Sequence, residues 1–409
     1  MNERTAPAAA ATTACAFRGY NVTNLGRTAE LLDVPRYAPT IERRLIEGSR
    51  VASDLLSRRI DLLDRVRRQE ETTLATYGDA VALVLAVEAA HVDLLREEFG
   101  WDIRQCRTLF GYSLGEIAAH QGAGFLTLED AMQVPVALAD DCAALCYGSD
   151  GRYGSDGRQG MEIGVLFSRK RPIDFERVEA ACRETMLRGD GLVGVSTFLS
   201  PNSALLMGQT PTLAQVEALL REQGSDFVMK VMKSEFPPLH TPVTWSRHIA
   251  DRASLMMRKL DFRFSPTPRV LSLATGDYSY REGNAREILR TWVDRPQRLW
   301  GAIEKILQDN VDVILHIGPE PNLIPATFRR LCDNVEQQLK RSLGLRTVHS
   351  MITRPWLKSV LPAKAMLLRA PLIKHVVLED WLLEQVDSPR SPFREDPSSG
   401  GRASESAEA

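Results

Sequence analysis

The sequence lacks the features that would tie it to a membrane, to nucleic acid or to an oxidising compartment. No window reaches the roughly 18 consecutive apolar residues that a membrane helix requires, so no span is expected. The opening MNERTAPAAAATTACAF has one Arg and a short Ala/Thr run without a long apolar core, which argues against a secretory leader. Acidic and basic residues nearly cancel, 53 against 51, for a formal net charge of -2. Without a basic excess, nucleic acid is not an expected partner. Cysteines are few and scattered, at 15, 106, 142, 146, 182 and 332. A disulfide framework belongs to short secreted chains, so these read as reduced thiols of a cytoplasmic protein. Cys142 and Cys146 stand at i, i+4 with no His or Cys pair at zinc spacing elsewhere; they read as small buried residues, and no metal is expected.

What is present suits a large folded body. Of 409 residues, 44% are hydrophobic and 25% charged, enough to bury a sizeable core. Residues 1–15 and 388–409 (SPRSPFREDPSSGGRASESAEA) read as disordered. Helical spacing of apolar residues runs from Ile41 to Arg68 and from Ala80 to Phe99, the latter apolar enough in its first half to be buried. Thr127 is an expected N-cap, with Asp130 at N3, for a helix from Leu128 to Cys146. YGSDGRYGSDGR at 147–158, a tandem repeat with nothing to pack, reads as a loop. Beyond it a βαββα order returns to a strand near Phe227–Val231, which predicts a small α+β unit at 160–232 inserted into a larger one. A helix is expected over Val243–Leu260 and a buried strand over Val311–Ile317, ending in GPEP.

Gly111-Tyr112-Ser113-Leu114-Gly115 carries the chemistry. This G-x-S-x-G follows a short apolar strand, Thr108–Phe110, and opens a helix. Flanking glycines allow strand and helix to approach closely. The hydroxyl is then presented at a helix N-terminus, where free N–H groups favour a developing oxyanion. A serine nucleophile needs a base. His240, in FPPLHTP at 236–242, is the candidate, because prolines on both sides stiffen its backbone. His91, His248, His349 and His375 read as core or surface residues, and His120 as packed on the nucleophile helix.

The motifs resemble those of the malonyl-CoA–acyl carrier protein transacylase family and of the acyltransferase domains of polyketide and fatty acid synthases. GYSLGE at 111–116 is similar to the family's G-H-S-x-G-E, and GFLTLEDA at 124–131 to its Gly-x-Leu-x-Leu-x-Asp-Ala segment. LHTP at 239–242 looks like the segment holding the base, and HIGPEPNL at 316–323 like the closing strand-turn. The likeness spans roughly 16–335 in the family's order. It implies an α/β-hydrolase-like large subdomain with a parallel sheet, over 16–159 and 233–340, and a ferredoxin-like small subdomain over 160–232. Residues 341–387, beyond the likeness, read as a C-terminal helical extension, with a docking surface for a partner synthase as the sharper alternative.

The resemblance also implies site residues and departures from the family pattern. Ser113 and His240 would be catalytic, with the backbone N–H groups of Leu114 and Tyr20 as oxyanion hole. Tyr20 stands where the family has a Gln in Pro-Gly-Gln-Gly-Ser-Gln; any residue but proline supplies the N–H. Tyr112 replaces the His before the nucleophile, and Trp292 stands nearest to a Gln that supports the catalytic His. Malonyl-specific members hold an Arg eight residues beyond the Asp of Leu-x-Asp-Ala; here that position is Leu138, which cannot pair a carboxylate. Tyr112, Leu138 and Trp292 are accordingly the candidate substrate-binding residues. The activity implied is transfer of an acyl group, not a dicarboxylate, from acyl-CoA to the phosphopantetheine arm of an acyl carrier protein, with no bound cofactor. Hydrolysis of the acyl thioester at the same site, and a non-catalytic carrier-binding scaffold, are the alternatives.

Overall fold

In a computed structural model, the protein is described over residues 10–147, 161–168, 171–222, 227–234, 236–320, 324, 327–332 and 365–386. The 147–158 repeat (apart from Tyr147), Arg169, Lys170, residues 341–364 and the 388–409 tail lie outside them. Nine strands are described: β1 (Thr13–Phe17), β2 (Thr108–Gly111), β3 (Met161–Ser168), β4 (Val193–Ser200), β5 (Ser203–Gln209), β6 (Phe227–Lys233), β7 (Val270–Leu271), β8 (Val313–Ile317) and β9 (Lys374–Val377).

Five of them form one sheet in the order β7-β2-β1-β8-β9, every pairing parallel. Its central strands, TACAF, TLFG and VILHI, are buried at every position, as a sheet covered by helices on both faces requires. One cover is the helix Tyr77–Phe99, which is buried along most of its length as its composition predicts. The other four strands form an antiparallel sheet, β4-β5-β3-β6, with helices Phe175–Leu187 and Thr210–Glu222 joining them in βαββαβ sequence. That order is ferredoxin-like, and the expected two-part α/β architecture is present.

Four local expectations need correction. The first strand begins at Thr13, inside the stretch read as disordered; its small residues fit the centre of a sheet, where no polar face is needed to mark a strand. The C-terminal extension is not wholly helical, since Lys374–Val377 adds a strand beside β8 before the helix Leu378–Glu384. Helix Leu128–Cys146 is broken at Leu138, shortly after Pro135, whose missing N–H removes an intrahelical bond. The stretch 243–260 is a 3-10 turn, Pro242–Arg247, and an α-helix, Ile249–Met257, separated by His248 in left-handed conformation.

Candidate active site

The C-terminal end of β2 delivers Ser113. Two glycines make the turn possible. A Cβ on Gly111 would lie 2.1 Å from the carbonyl carbon of Gly115, and one on Gly115 would lie 2.3 Å from the carbonyl oxygen of Phe17. Ser113 itself has φ 57 and ψ -120, a conformation costing on the order of 1–3 kcal/mol that persists only where the surroundings enforce it. Helix Leu114–Gly122 starts immediately after it, so the hydroxyl sits at a helix N-terminus.

His240 comes from a chain segment more than a hundred residues away and also has positive φ, at 63°. Its backbone N–H donates to the carbonyl of Val293 at 2.8 Å. Its ring Nδ1 lies 2.6 Å from the carbonyl oxygen of Trp292. A carbonyl only accepts, so Nδ1 carries the proton and Nε2 presents its lone pair. Nε2 lies 2.7 Å from Ser113 Oγ and accepts from that hydroxyl. Burial lowers the imidazole to about 4, with the Trp292 carbonyl pulling the other way. The ring is therefore neutral near pH 7 and able to take a proton.

Trp292 thus stands beside the histidine through a main-chain atom, and any residue supplies a carbonyl. Its indole serves elsewhere. It lies edge-on to the His240 ring, 5.7 Å between centroids, and lines a crevice together with Leu239 and Val293. Leu138, Val134 and Tyr77 line it as well. Leu138 is buried at the break between its two helices, and no lining residue of this crevice is charged.

The loop after β1 closes the other side. A Cβ on Gly19 would come within 2.5 Å of the Tyr112 carbonyl oxygen and 3.1 Å of Ser113 Cβ, so this backbone lies against the elbow. Tyr20 follows, its ring edge-on to Tyr77 at 4.7 Å. Arg18, fully buried, pins the loop: its guanidinium donates to the carbonyls of Gly19, Thr23 and Pro319 and to Asn24 Oδ1. Tyr112 points toward the small sheet, where its hydroxyl lies 2.7 Å from Thr197 Oγ1 on β4.

Two further histidines, His91 and His120, serve packing. His91 accepts from the Gly318 N–H, and His120 sits among Phe125, Phe262 and Tyr280, both rings pushed down to about 3 by burial. Cys142 and Cys146 are buried thiols, and no metal-binding cluster occurs among the described residues. Sequence reasoning passed over Gln297, whose Oε1 accepts from the Ser113 N–H at 3.3 Å, and quoted Glu116 without a role. The only signal for Gln297 was a glutamine between a proline and an apolar helix.

No family model matches the chain. Over 200 residues it is 30% identical to a hybrid PKS-NRPS synthetase of Fusarium sp, a match taking in 46% of this chain and 5% of that protein. The chain therefore spans only a small part of the curated relatives it matches. A malonyl-CoA:acyl carrier protein transacylase of Xanthomonas oryzae pv. oryzae has the same fold, with TM-score 0.60, 21% identity, and coverage of 78% of this chain and 91% of that one. A malonyl-transacylase solved with its type II PKS acyl-carrier protein gives TM-score 0.58 at 20% identity, covering 78% of this chain and 93% of that one. This chain thus has the fold of the malonyl-CoA:acyl carrier protein transacylases and of a polyketide synthase acyltransferase domain, and part of its sequence is similar to a polyketide-making synthetase.

Proposed function

We propose that the chain is an acyl-CoA:acyl carrier protein S-acyltransferase working through an ester on Ser113. The observation that carries the reading is the dyad: a strained serine at a helix N-terminus, 2.7 Å from the unprotonated nitrogen of a buried, neutral histidine. His240 Nε2 takes the hydroxyl proton as Oγ attacks the thioester carbonyl. The C–S bond breaks, and the coenzyme A thiolate leaves with that proton. The N–H groups of Leu114 and Tyr20 receive the oxyanion. In the second half the carrier's thiol gives its proton to His240 and attacks the ester, and Ser113 regains the proton as the new thioester departs. Acyl-CoA enters as substrate, and no resident cofactor is part of the scheme.

The acyl group is a monocarboxylic one. Leu138, standing where the resemblance places an Arg, supports this: it and its neighbours in the small crevice shared with Trp292 are uncharged, so a carboxylate buried beside them would have no partner. An alkyl chain instead gains about 0.8 kcal/mol per buried CH₂. The pathway is fatty acid or polyketide synthesis, and the acceptor is an acyl carrier protein, as in the relatives named above.

Intact-mass measurement after incubation with a panel of acyl-CoAs tests the proposal. The protein is expected to gain one acyl group, and Ser113→Ala, still folded, to gain none. An acyl adduct of equal mass on the Ser113→Ala variant would overturn it.

A further inference from the structure

The nucleophile elbow is connected to a buried carboxyl that the acyl-transfer scheme does not use. Glu116 lies one turn into the nucleophile helix and is fully buried. Its Oε1 accepts from the Tyr280 hydroxyl at 2.6 Å and from the Leu273 N–H at 3.1 Å. The Gln297 amide also interacts with it. Glu116 Oε2 and Gln297 Nε2, both buried, have no hydrogen-bond partner within bonding geometry among the described residues, and the Ser272 hydroxyl acts on the same carboxyl as the Gln297 amide. On its other side Gln297 accepts from the Ser113 N–H. Its backbone is held as well: its N–H donates to the Ser196 carbonyl at 2.8 Å and its carbonyl accepts from Phe198 at 2.9 Å. Gln297 thus bridges to β4 and cannot drift.

We infer that Gln297 is a positioning residue, which ties the backbone N–H of the nucleophile to Glu116 and keeps Ser113 in its strained, reactive conformation. A residue with φ 57 leaves that conformation unless neighbours hold it. The Ser113 N–H is the one main-chain donor of the turn that a side chain is seen to take. Its acceptor stands on the same loop as Trp292, which orients His240. One short segment, 292–297, therefore sets the nucleophile through Gln297 and the base through the Trp292 carbonyl. Polarity matters here as well as size: an amide has both an acceptor for Ser113 and a donor for the carboxyl.

This inference rests on Ser113 as the nucleophile, and the experiment separates the two. Acyl loading from a saturating acyl-CoA is followed by quenched-flow mass measurement for Gln297→Leu, Gln297→Glu, and the exchanged pair Glu116→Gln with Gln297→Glu. Gln297→Leu, close in volume but without an acceptor, is expected to slow the acylation step roughly tenfold to a hundredfold with KM little changed. Gln297→Glu sets two carboxyls face to face and is expected to be slowed comparably. The exchanged pair again has one acceptor for Ser113 and one donor–acceptor contact, and is expected to recover most of the rate. Circular dichroism and urea midpoints identify any variant that merely fails to fold. If Gln297→Leu is folded and loads at the unaltered rate, or if the exchanged pair is no faster than Gln297→Glu, Gln297 has no positioning role. Loading that survives Ser113→Ala would instead remove the proposed function itself.

Discussion

At the residue scale the site depends on how burial changes ordinary groups. A free imidazole titrates near 6.5, whereas His240 is held down to about 4 by burial. A base works only in its unprotonated form, and a depressed pKa extends that form to lower pH. The kcat/KM for acylation is therefore expected to stay level from pH 8 to about pH 5 and to fall only as pH nears 4. A half-fall near pH 6.5 in a stopped-flow pH series would contradict this. His240→Ala is expected to slow acylation by roughly 100-fold or more, the usual scale for a positioned acid–base group. Leu138 sets the second residue-scale prediction. Leu138→Arg places a guanidinium in the uncharged crevice, and competition between malonyl-CoA and butyryl-CoA, read by mass, should then shift toward malonyl. Dominant malonyl loading by the unaltered protein would contradict the monocarboxylic reading.

At the scale of elements, the elbow is a packing problem solved by two glycines. Gly111 and Gly115 let β2, the nucleophile helix and the end of β1 meet at distances no side chain permits. Gly115→Ala drives a methyl into the Phe17 and Arg18 carbonyls, 2.3 and 2.6 Å from the ideal Cβ. Backbone atoms yield poorly, so a loss of about 3 kcal/mol is expected in urea unfolding, with acyl loading impaired even where the protein remains folded. The same alanine at Gly124, whose Cβ position is open but whose φ is +80, should cost less. The elements also show why local reading of the chain succeeded in some places and failed in others. Thr127 and Asp130 form the capping box expected from their spacing, because capping is decided within four residues. The strand at Thr13–Phe17 was missed because Ala and Cys take their place in a parallel sheet from neighbours far off in sequence.

At the scale of the whole molecule, the two sheets and the C-terminal segment converge on one site. Tyr112 reaches Thr197, Gln297 extends β4, and the Ser196 hydroxyl donates to the Leu239 carbonyl next to the base. From the far end of the chain, buried Glu379 accepts from the N–H groups of Arg27 and Glu320, joining the loop after β1 to the turn after β8. Buried titratable groups of both kinds give the molecule an expected stability optimum. Burial raises Glu116 to about 7 and Glu379 to about 8, so between pH 8 and 6.5 the folded state holds more protons than the unfolded one. Stability then rises as pH falls through that window. Below about 6.5 the sign reverses. His91 and His120 are lowered to about 3 and His240 and His375 to about 4, so the unfolded chain takes up these protons first. Urea midpoints are expected to peak between about pH 6 and 7 and to fall on both sides. A midpoint rising steadily from pH 5 to 8 would contradict these assignments.

Sequence alone determined the parts whose physics is local. The glycine-flanked serine between strand and helix, the proline-stiffened histidine and the βαββα order were legible because each depends on residues within a few positions of one another. Leu138 was legible as an uncharged residue where the resemblance places an Arg, although its crevice was not. Tertiary structure alone decided the partners. Ser113 and His240 lie 127 positions apart, and Ser113 and Gln297 184. No spacing rule connects them. Trp292 reads in sequence as a lost glutamine, yet what the fold takes from it is a carbonyl, which every residue has. Main-chain atoms leave no trace in the identity of the side chain that accompanies them, and burial, which sets the His240 and Glu116 titrations, is a property of the surroundings the finished fold builds around a residue.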